Sequence, residues 1–530
     1  MGTTKEILKL NSFEKLCQDV NQFVEDKLKC YEPSRTGSKV IHDPVWGSIE
    51  YSDWEMQIID TPLFQRLRDI SQVGLAMLTY PSARHSRFEH SLGVAAASKL
   101  MCEKIQRNTP DFKIEDDIRN TIILAALLHD IGHCFYSHLS ESIYGTQKFL
   151  NDLKDGINSL LFLKPKPHEI LSFVIINTPA FKRFFIAHVD FPHKSDLAGS
   201  LFLDVGSMII GANIQDGNKI RSFQTSIING PFDADKLDYI KRDSLTAGLA
   251  LQYDMERLFT KLRVHPEACN DIIEQKLVID LNGVTAIEEL TFCKIMLFSY
   301  IYYHQKVLVS EAMVRDYVFG LCELGLFTKC SDFLKYTDSD ILKLADGDSI
   351  LGHKPFPEYG ELNLSELASN IRNRRLPKRC FEISQNNIDM PDGSNKNMDY
   401  FVKPFLKATY TELLTFREDF YKKLVKKYKE KEQPINFTMF DIYIIFPDTA
   451  YYGTGDDKVV LGRDQKNLIT INQFIKLDPW AEAFKSNKWR GYIFVSDKID
   501  NALAYEVACD FVFHGEAKLS NPTLYIKGIR

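Results

Sequence analysis

The residues best suited to chemistry form one short segment, in which His129 and Asp130 follow an uninterrupted aliphatic run and precede Gly132 and His133. A carboxylate at the end of an apolar helix is costly unless it is paired or binds a metal ion. An imidazole nitrogen beside a carboxylate oxygen suits zinc, iron, manganese or a similar first-row ion. The alternative is that Asp130 and Gly132 only end the helix, and this segment alone supports the two interpretations about equally.

Two further segments combine charged residues with metal-binding residue types. Residues 84–93 place two arginines and two histidines within seven positions, a dense positive cluster that could also be the solvated start of a helix. Residues 233–239 hold three aspartates and a lysine, which could equally be a capped helix with charge pairs four positions apart. Each segment taken alone is therefore ambiguous.

Helices must position these segments. The apolar spacing predicts an amphipathic helical extension over residues 1–30, and Asp60 and Pro62 are suited to cap and start a helix. The run ILAALL is apolar on all sides, which predicts a central, buried helix that ends in His129 and Asp130. The further predicted helices cover residues 86–105, 118–131, 167–177, 231–249 and 284–320.

The character of the chain changes beyond about residue 380. We expect a polar loop over 386–397, helices over 409–432 and 499–509, and strands over 439–446, 458–461, 491–495 and 511–513. The predicted fold class is mainly α, with a helical core and a smaller C-terminal α+β lobe. The predicted divisions are an extension and linker, a catalytic core, a helical continuation and the lobe, at 1–38, 39–320, 321–380 and 381–530.

Composition and charge narrow the class of protein. The 530 residues carry a formal net charge of -6, so no bulk positive field marks nucleic acid as the main partner. Ten cysteines without a C-x-x-C pair indicate reduced thiols. The N-terminus lacks a secretory signal and the aliphatic run is too short to span a bilayer, so we expect a cytoplasmic protein without a membrane partner.

The three segments together resemble a known signature. His90, the His129–Asp130 pair and Asp235, on separate helices over about 145 positions, are similar to the H…HD…D pattern of the HD-domain superfamily. The flanking residues of four segments resemble its deoxynucleoside triphosphate triphosphohydrolase branch, which includes bacterial dGTPases and the sterile-alpha-motif-and-HD-domain dNTPase of animals. Those segments are 39–44, 58–68, 86–93 and 128–133, and the resemblance covers about residues 39–310, more loosely to 380.

The resemblance implies a divalent transition metal, manganese, iron or zinc, held by His90, His129, Asp130 and Asp235. Such an ion lowers the pKa of bound water and polarises phosphorus. The resemblance also implies catalytic side chains that protonate the leaving group, contact phosphate or support those that do. These are His138 as general acid, Glu141 as its orienting carboxylate, and His133 and His168.

Further positions match substrate contacts of the family. The resemblance assigns Arg87, Lys236 and Tyr239 to the triphosphate, whose negative charges require cationic and hydroxyl donors. It assigns Gln72, Val73 and Asp243 to the deoxyribose and Tyr303 to exclusion of a 2′-hydroxyl. The implied reaction converts a dNTP and water into a deoxynucleoside and inorganic triphosphate, with magnesium accompanying the nucleotide.

The resemblance to nucleotide-activated members is only partial. Five positions match the side of their allosteric pocket that reads guanine: Lys39, Val40, Asp60, Gln65 and Arg68. Helix capping by Asp60 and surface pairing by Arg68 are equally good explanations. The phosphate-binding arginine expected near Ile295 is absent, with Lys294 the nearest cation, and the usual Gln-His order is reversed at His304.

Two other functions remain open at this point. The chain could be another HD phosphohydrolase: a nucleotidase, a ribonucleotide hydrolase or a phosphodiesterase. It could also be a nucleotide-sensing scaffold that acts through its C-terminal lobe, although a pure sensor has no need of a proton donor such as His138. Assembly as a tetramer or hexamer, and a role in dNTP depletion or antiviral defence, are expectations from the family alone.

Overall fold

Helices make up most of the described residues of this chain, for which we analysed a computed structural model. Small sheets accompany them, and an α+β region lies toward the C-terminus, so the predicted fold class is confirmed. The structure describes residues 3–34, 37–192, 200–269, 271–344, 353–356, 360–389, 398–448, 459–461, 468–471, 479, 482–483 and 487–520.

The chain packs into two units, each made of several stretches of sequence. The first unit consists of Met1–Leu297, Gly325–Ile341 and Gly455–Lys476. The second consists of Phe298–Leu324, Leu342–Thr454 and Leu477–Arg530. The domain boundaries expected from the sequence follow a different division and stay predictions.

The first unit is a helical bundle around the aliphatic Asp116–Leu128 helix, whose last eight residues are all buried. Its other helices are Thr4–Ile7, Asn11–Leu28, Asp53–Ile59, Pro62–Gln65, Arg87–Asn108, His138–Tyr144, Lys148–Leu161, Pro167–Asn177, Pro179–His188, Leu201–Ile209, Ser222–Ile228, Ala234–Thr246, Met255–Lys261, Val284–Leu297, Cys330–Leu334 and Asp338–Ile341. The predicted N-terminal amphipathic extension is present as the first two helices, with Leu16, Val20 and Val24 buried on one face.

Two β elements interrupt this helical unit. Strands Lys39–Asp43 and Gly47–Tyr51 form an antiparallel hairpin. The longer strands Leu262–Cys269 and Ile272–Asp280 pair antiparallel from Leu262–Ile279 to Cys269–Ile272. Four short strands extend this second sheet: Gln215–Asp216, Lys219–Ile220, Val459–Leu461 and Leu468–Thr470.

The second unit surrounds a three-stranded antiparallel sheet in the order Ile442–Ile445, Gly491–Val495, Lys378–Ile383. The Tyr410–Glu430 and Asn501–Phe513 helices share an apolar core with this sheet. The remaining helices are Gln305–Glu323, Leu364–Arg372 and Met398–Val402. The remaining strands pair as Ile388–Asp389 with Lys518–Leu519 and His353–Phe356 with Gly360–Asn363.

The local structure differs from the sequence-based expectation at several points. The strand predicted at 511–513 is wrong, because the Asn501–Phe513 helix continues through it and buries Phe511, Val512 and Phe513. Asp60 does not cap the helix that starts at Pro62: the hydroxyl of Thr61 accepts from Phe64 N at 3.2 Å. The helix predicted over 284–320 is two helices, and residues 390–397 of the predicted polar loop lie outside the described residues.

Among the described helices, none has both the length and the apolar character needed to cross a membrane. The pair Pro167–Asn177 and Pro179–His188, bent by 58°, meets that test by length and composition only. The burial of Phe173, Phe181 and Phe185 is what packing in a protein core would give.

Candidate active site

His90 lies in the first turn of the Arg87–Asn108 helix. Ser86 and Glu89 form a capping box that fixes where this helix begins. The His90 ring is fully buried, and its Nδ1 donates to Asp238 Oδ2 at 2.7 Å. Since Nδ1 carries the proton in this hydrogen bond, the lone pair on Nε2 is free to bind a metal ion.

His129 and Asp130 directly follow the buried Asp116–Leu128 helix, as the sequence predicts. His129 Nδ1 donates to the carbonyl of Ala126 at 2.7 Å, so the free lone pair is again on Nε2. The His129 carbonyl accepts from Ser172 Oγ at 2.6 Å, which ties the end of the helix to its neighbour. The backbone therefore sets the orientation of this imidazole.

Two imidazoles and two carboxylates converge in what we call the metal cluster: His90, His129, Asp130 and Asp235. His90 Nε2 lies 3.0 Å from Asp235 Oδ1 and 3.6 Å from Asp130 Oδ2. His129 Nε2 lies 3.4 Å from Asp130 Oδ1. The four predicted ligands are thus brought together from two helices and the end of a third.

The donor set of the metal cluster fits a divalent cation. The Nε2 atoms of His90 and His129 are both buried without a hydrogen bond of acceptable geometry, although carboxylate oxygens lie nearby. Burial lowers the pKa of His90, but Asp235 and Asp238 outweigh burial and raise that pKa to about 10. The same negative potential favours a metal cation between these side chains.

A second group, which we call the Glu141 cluster, consists of Glu141, His133, His138 and His168. Glu141 Oε1 accepts from His138 Nδ1 at 2.8 Å and from His168 Nδ1 at 2.7 Å. His133 Nδ1 lies 3.5 Å from the same oxygen, and its ring stacks on that of His168 at 4.0 Å between centroids. Burial raises the pKa of Glu141, but the imidazoles outweigh it and hold that pKa well below its usual range.

The two clusters meet at Asp130. Its Oδ1 lies 3.4 Å from His133 Nε2, while its Oδ2 accepts from Arg87 Nη1 at 2.6 Å. Arg87 Nε also donates to Ser137 Oγ at 2.9 Å, and Nη2 lies 3.4 Å from His138 Nε2. Arg87, predicted to bind triphosphate, is therefore buried and already paired with a predicted metal ligand.

Three charged residues outside the predicted set, Asp238, Arg242 and Arg66, hold this geometry. In addition to the hydrogen bond from His90, Asp238 accepts two from Arg242. Arg242 Nε donates to Oδ2 and Nη2 donates to Oδ1, both at 2.8 Å. A Cβ on Gly93 would lie 1.9 Å from Asp238 Oδ1, which explains a glycine one helical turn after His90. Asp238 lies three positions after Asp235 on the same helix, a spacing that was the only sequence signal for it.

Arg66 is the third of these residues. Its guanidinium is buried and donates to the carbonyls of Ile131 and His133, both at 2.8 Å. A Cβ on Gly132 would lie 2.4 Å from the carbonyl oxygen of His168 and 2.5 Å from the nitrogen of Ser172. Glycine is therefore required within the turn that connects the metal cluster to the Glu141 cluster.

The other predicted substrate residues of the first unit have varied surroundings. Lys236 Nζ donates to the carbonyl of Gly230 at 2.9 Å and to Asp233. Asp243 Oδ1 lies 2.8 Å from His85 Nε2, and both side chains are buried. Gln72 and Val73 are buried, and Tyr239 is half-buried on the Asp235 helix, Ala234–Thr246.

The surroundings of Tyr303 and of the predicted effector residues differ from one residue to the next. Tyr303 belongs to the second unit, where its hydroxyl donates to the carbonyl of Asp448 at 2.7 Å. In the first unit, Lys39 Nζ pairs with Asp60 Oδ2 at 3.2 Å, and the Val40 side chain is exposed. Gln65 accepts from Arg68 Nε at 2.6 Å, and the Arg68 guanidinium lies 3.6 Å from the Phe88 ring centroid. The substrate and effector roles of these residues stay predictions.

Comparison with known families agrees with this geometry. An HD domain matches residues 87–173, and an HD associated region matches residues 253–400. The chain therefore contains a segment similar to an HD domain, followed by one similar to an HD associated region. The matched HD domain includes His90, His129 and Asp130, whereas Asp235 lies outside it and is joined to the cluster by the fold.

Curated relatives carry more specific names. The chain is similar to a deoxynucleoside triphosphate triphosphohydrolase SAMHD1 homolog of Dictyostelium discoideum, with 29% identity over 66% of this chain and 61% of that protein. It is also similar to human deoxynucleoside triphosphate triphosphohydrolase SAMHD1, with 26% identity over 56% of this chain and 46% of that protein. The matched region thus spans less than two thirds of each of these relatives.

Solved structures show the same fold. A hypothetical protein from Aquifex aeolicus superimposes with a TM-score of 0.60 over 89% of this chain and all of that chain. The sequence identity is 20%, so this likeness concerns the fold alone.

Proposed function

We propose that this protein is a metal-dependent triphosphohydrolase that converts a deoxynucleoside triphosphate into a deoxynucleoside and inorganic triphosphate. The observation that carries the proposal is the contact between a cation site and a histidine–carboxylate pair. Asp130 Oδ1 lies 3.4 Å from both His129 Nε2 and His133 Nε2, which places the two clusters side by side. A cation site alone suits many functions, whereas an oriented proton donor is needed where a bond to a poor leaving group breaks.

The proposed reaction assigns a distinct task to each cluster. A divalent cation held by the metal cluster would lower the pKa of a bound water and polarise the phosphorus. The water oxygen bonds to the α-phosphorus while the bond from that phosphorus to the 5′ oxygen breaks. The 5′ oxygen leaves with a proton from His138 Nε2, while Glu141 orients the ring by accepting from Nδ1 at 2.8 Å. Burial lowers the pKa of His138 although Glu141 raises it, so the protonated ring gives up its proton readily. The water oxygen remains on the released triphosphate.

Cations near the metal cluster support a polyphosphate substrate. Lys294 is half-buried and forms no hydrogen bond or ion pair with any residue that the structure describes. Burial, followed by the charges of Lys236 and Lys166, lowers the pKa of Lys294 to about 8. Three ammonium groups close enough to repel one another are relieved by a bound anion with several negative charges.

The names of the relatives support the deoxynucleotide part of the proposal. Both the Dictyostelium and the human relative are deoxynucleoside triphosphate triphosphohydrolases by name. Activation by a nucleotide at Lys39, Val40, Asp60, Gln65 and Arg68, and assembly as a tetramer or hexamer, extend the proposal from the same resemblance. Guanine binding to Asp60 would compete with its ion pair to Lys39.

The proposal is tested by resolving products. Purified protein is incubated with each dNTP and each NTP in the presence of manganese, iron, zinc or magnesium, with and without dGTP as a second nucleotide. We expect deoxynucleoside and inorganic triphosphate in equal amounts from at least one dNTP, and no such products from the matching NTP.

Other products would select another function. Monophosphate or diphosphate would contradict the proposal and indicate a different HD phosphohydrolase. Bound nucleotide without turnover under every metal condition would indicate a nucleotide sensor. Asp116→Ala serves as the control for nonspecific effects of substitution, because the Asp116 side chain is 84% exposed and lies at the opposite end of the Asp116–Leu128 helix from His129.

A further inference from the structure

Asp338 joins two distant backbone segments next to the Glu141 cluster. Its Oδ1 accepts from the backbone N–H of Tyr136 at 2.6 Å, and its Oδ2 accepts from the backbone N–H of Ser71 at 2.9 Å. The Tyr136 hydroxyl also donates to the Asp338 carbonyl at 3.0 Å. Asp338 lies 202 positions from Tyr136 and 267 from Ser71, so one carboxylate holds together three separate parts of the first unit.

The turn held by Asp338 has an unusual backbone. Tyr136 and Ser137 have φ angles of 51° and 52°, which place two consecutive non-glycine residues in the left-handed region. Such conformations cost on the order of 1–3 kcal/mol each and persist where the surroundings hold them. Both residues are almost fully buried, so the turn is fixed by its contacts.

This turn is connected to the catalytic residues on both sides. His138 follows Ser137 directly and begins the His138–Tyr144 helix. Ser137 Oγ donates to the carbonyl of Ser71 at 2.5 Å and accepts from Arg87 Nε at 2.9 Å. Arg87 in turn donates to Asp130 Oδ2. A shift of the turn would therefore move His138 and Arg87 together.

We propose that Asp338 is a positioning residue for the reaction, which holds the strained Tyr136–Ser137 turn so that His138 and Arg87 keep their places beside the metal cluster. Asp338 touches neither metal-cluster residues nor the imidazole of His138 in the described contacts, so it acts through the turn. The inference rests on the proposed function, because it assigns His138 the role of proton donor.

The acceptor role of Asp338 rests on its two hydrogen bonds, and burial opposes the charged form of this side chain. Desolvation raises the pKa of this carboxyl to about 7, although the backbone N–H groups of Tyr136 and Ser71 and the charge of Arg87 lower it, and Asp69 raises it. No lysine or arginine forms an ion pair with Asp338 in the described part of the chain. The backbone N–H groups of Tyr136 and Ser71 are therefore the groups that hold the Asp338 side chain in place.

The test compares Asp338→Asn with Asp340→Asn in the full-length, metal-loaded protein. Asparagine keeps one acceptor oxygen and turns an amide group toward the other N–H. We expect kcat to fall about 10- to 100-fold with metal content unchanged, since small displacements of a catalytic group cost about that much. KM should rise by a smaller factor, because Arg87 is a predicted triphosphate contact tied to the same turn. Asp340 accepts from Thr337 N and Oγ1 within the same short helix and should leave kcat unchanged.

A readout independent of activity separates this inference from the proposed function. In histidine-labelled protein, the imidazole resonances of His138, assigned through His138→Gln, should shift in Asp338→Asn and not in Asp340→Asn. If they shift in a protein that hydrolyses no nucleotide, the proposed function is wrong while the positioning role stands. Unchanged kcat and unchanged His138 resonances in Asp338→Asn would overturn the inference.

A longer side chain provides a second variant in case Asp338→Asn does not fold. Asp338→Glu keeps both acceptor oxygens but moves them by one methylene. We expect a smaller loss of kcat than in Asp338→Asn, again with metal content retained. A loss of metal content, or an effect on KM alone, would contradict a role exerted through the turn.

Discussion

The metal cluster and the Glu141 cluster both combine imidazoles with carboxylates, yet these carboxylates lie on different sides of the rings. Asp130 and Asp235 lie beside Nε2 atoms in the metal cluster, whereas Glu141 lies beside Nδ1 atoms in the second cluster. In the metal cluster, Asp238 and the Ala126 carbonyl each accept from an Nδ1, and the Nε2 atoms of His90 and His129 are left without a partner. In the Glu141 cluster, one carboxylate oxygen accepts from the Nδ1 atoms of His138 and His168.

This difference separates two kinds of chemistry. Converging, unpartnered lone pairs next to carboxylates suit a cation. An imidazole held by a carboxylate suits proton transfer, because the carboxylate fixes the tautomer and stabilises the imidazolium. The composition of both groups would permit a metal ion, and the side of the imidazole rings on which the carboxylates lie distinguishes them.

The largest effect is expected from Asp235→Ala. It removes one of the two carboxylates of the metal cluster and leaves His90 Nε2 with Asp130 at 3.6 Å. We expect loss of bound metal and a decrease in turnover of about 10³-fold or more, as measured by elemental analysis and product formation. Asp116→Ala is the matched control, and retained metal in Asp235→Ala would show that the metal cluster is wrongly composed.

His138→Ala should separate the two clusters. It removes the proton donor while His90, His129, Asp130 and Asp235 remain, so we expect a decrease in kcat of about 10²- to 10⁴-fold with metal content unchanged. A substrate with a better leaving group should be affected less, since it needs less protonation. Loss of metal in His138→Ala would mean that His138 is a ligand and that both clusters bind cations.

Asp238→Asn should weaken the metal cluster without removing any ligand. The Asp238 carboxylate accepts from both His90 Nδ1 and Arg242. An asparagine amide has a single acceptor oxygen and cannot replace both contacts, so the His90 ring loses its fixed orientation. We expect metal affinity to fall about 10- to 100-fold, measured by metal titration. Unchanged affinity would show that the orientation of His90 does not depend on Asp238.

The smallest effect concerns the pH dependence of stability near the Glu141 cluster. The pKa of Asp338 is raised from 3.8 to about 7, so the folded state binds more protons there than the unfolded state between these values. The stabilising contribution of the protonated form is present below the unfolded pKa and is lost as pH rises through about 7. We expect the free energy of unfolding of the unsubstituted protein to fall relative to Asp338→Asn between about pH 4 and 7, measured by denaturant titration. A constant difference over this range would contradict the raised pKa.

Local patterns account well for the helices and poorly for some short elements. The periodic and aliphatic segments around His90 and His129 predict their helices because burial on one face or on all sides leaves a repeating signal. Phe511–Phe513 has strand-like composition, yet it completes a helix, because its three side chains pack into the core of the second unit. The hairpin formed by Leu262–Cys269 and Ile272–Asp280 was likewise not anticipated within a helical region.

The sequence by itself determined which residue types stand at the motif positions and which helix is buried. These are properties of neighbouring residues. The resemblance of three such segments to a known signature indicated His90, His129, Asp130 and Asp235 as a set. The tertiary structure decided which imidazole nitrogens are free, that Arg87 is paired with Asp130, and that Arg66 and Asp338 hold the two turns. The contacts of Arg87, Arg66 and Asp338 join positions 43 to 267 residues apart, and hydrogen bonds over such separations leave no periodic signal in one sequence.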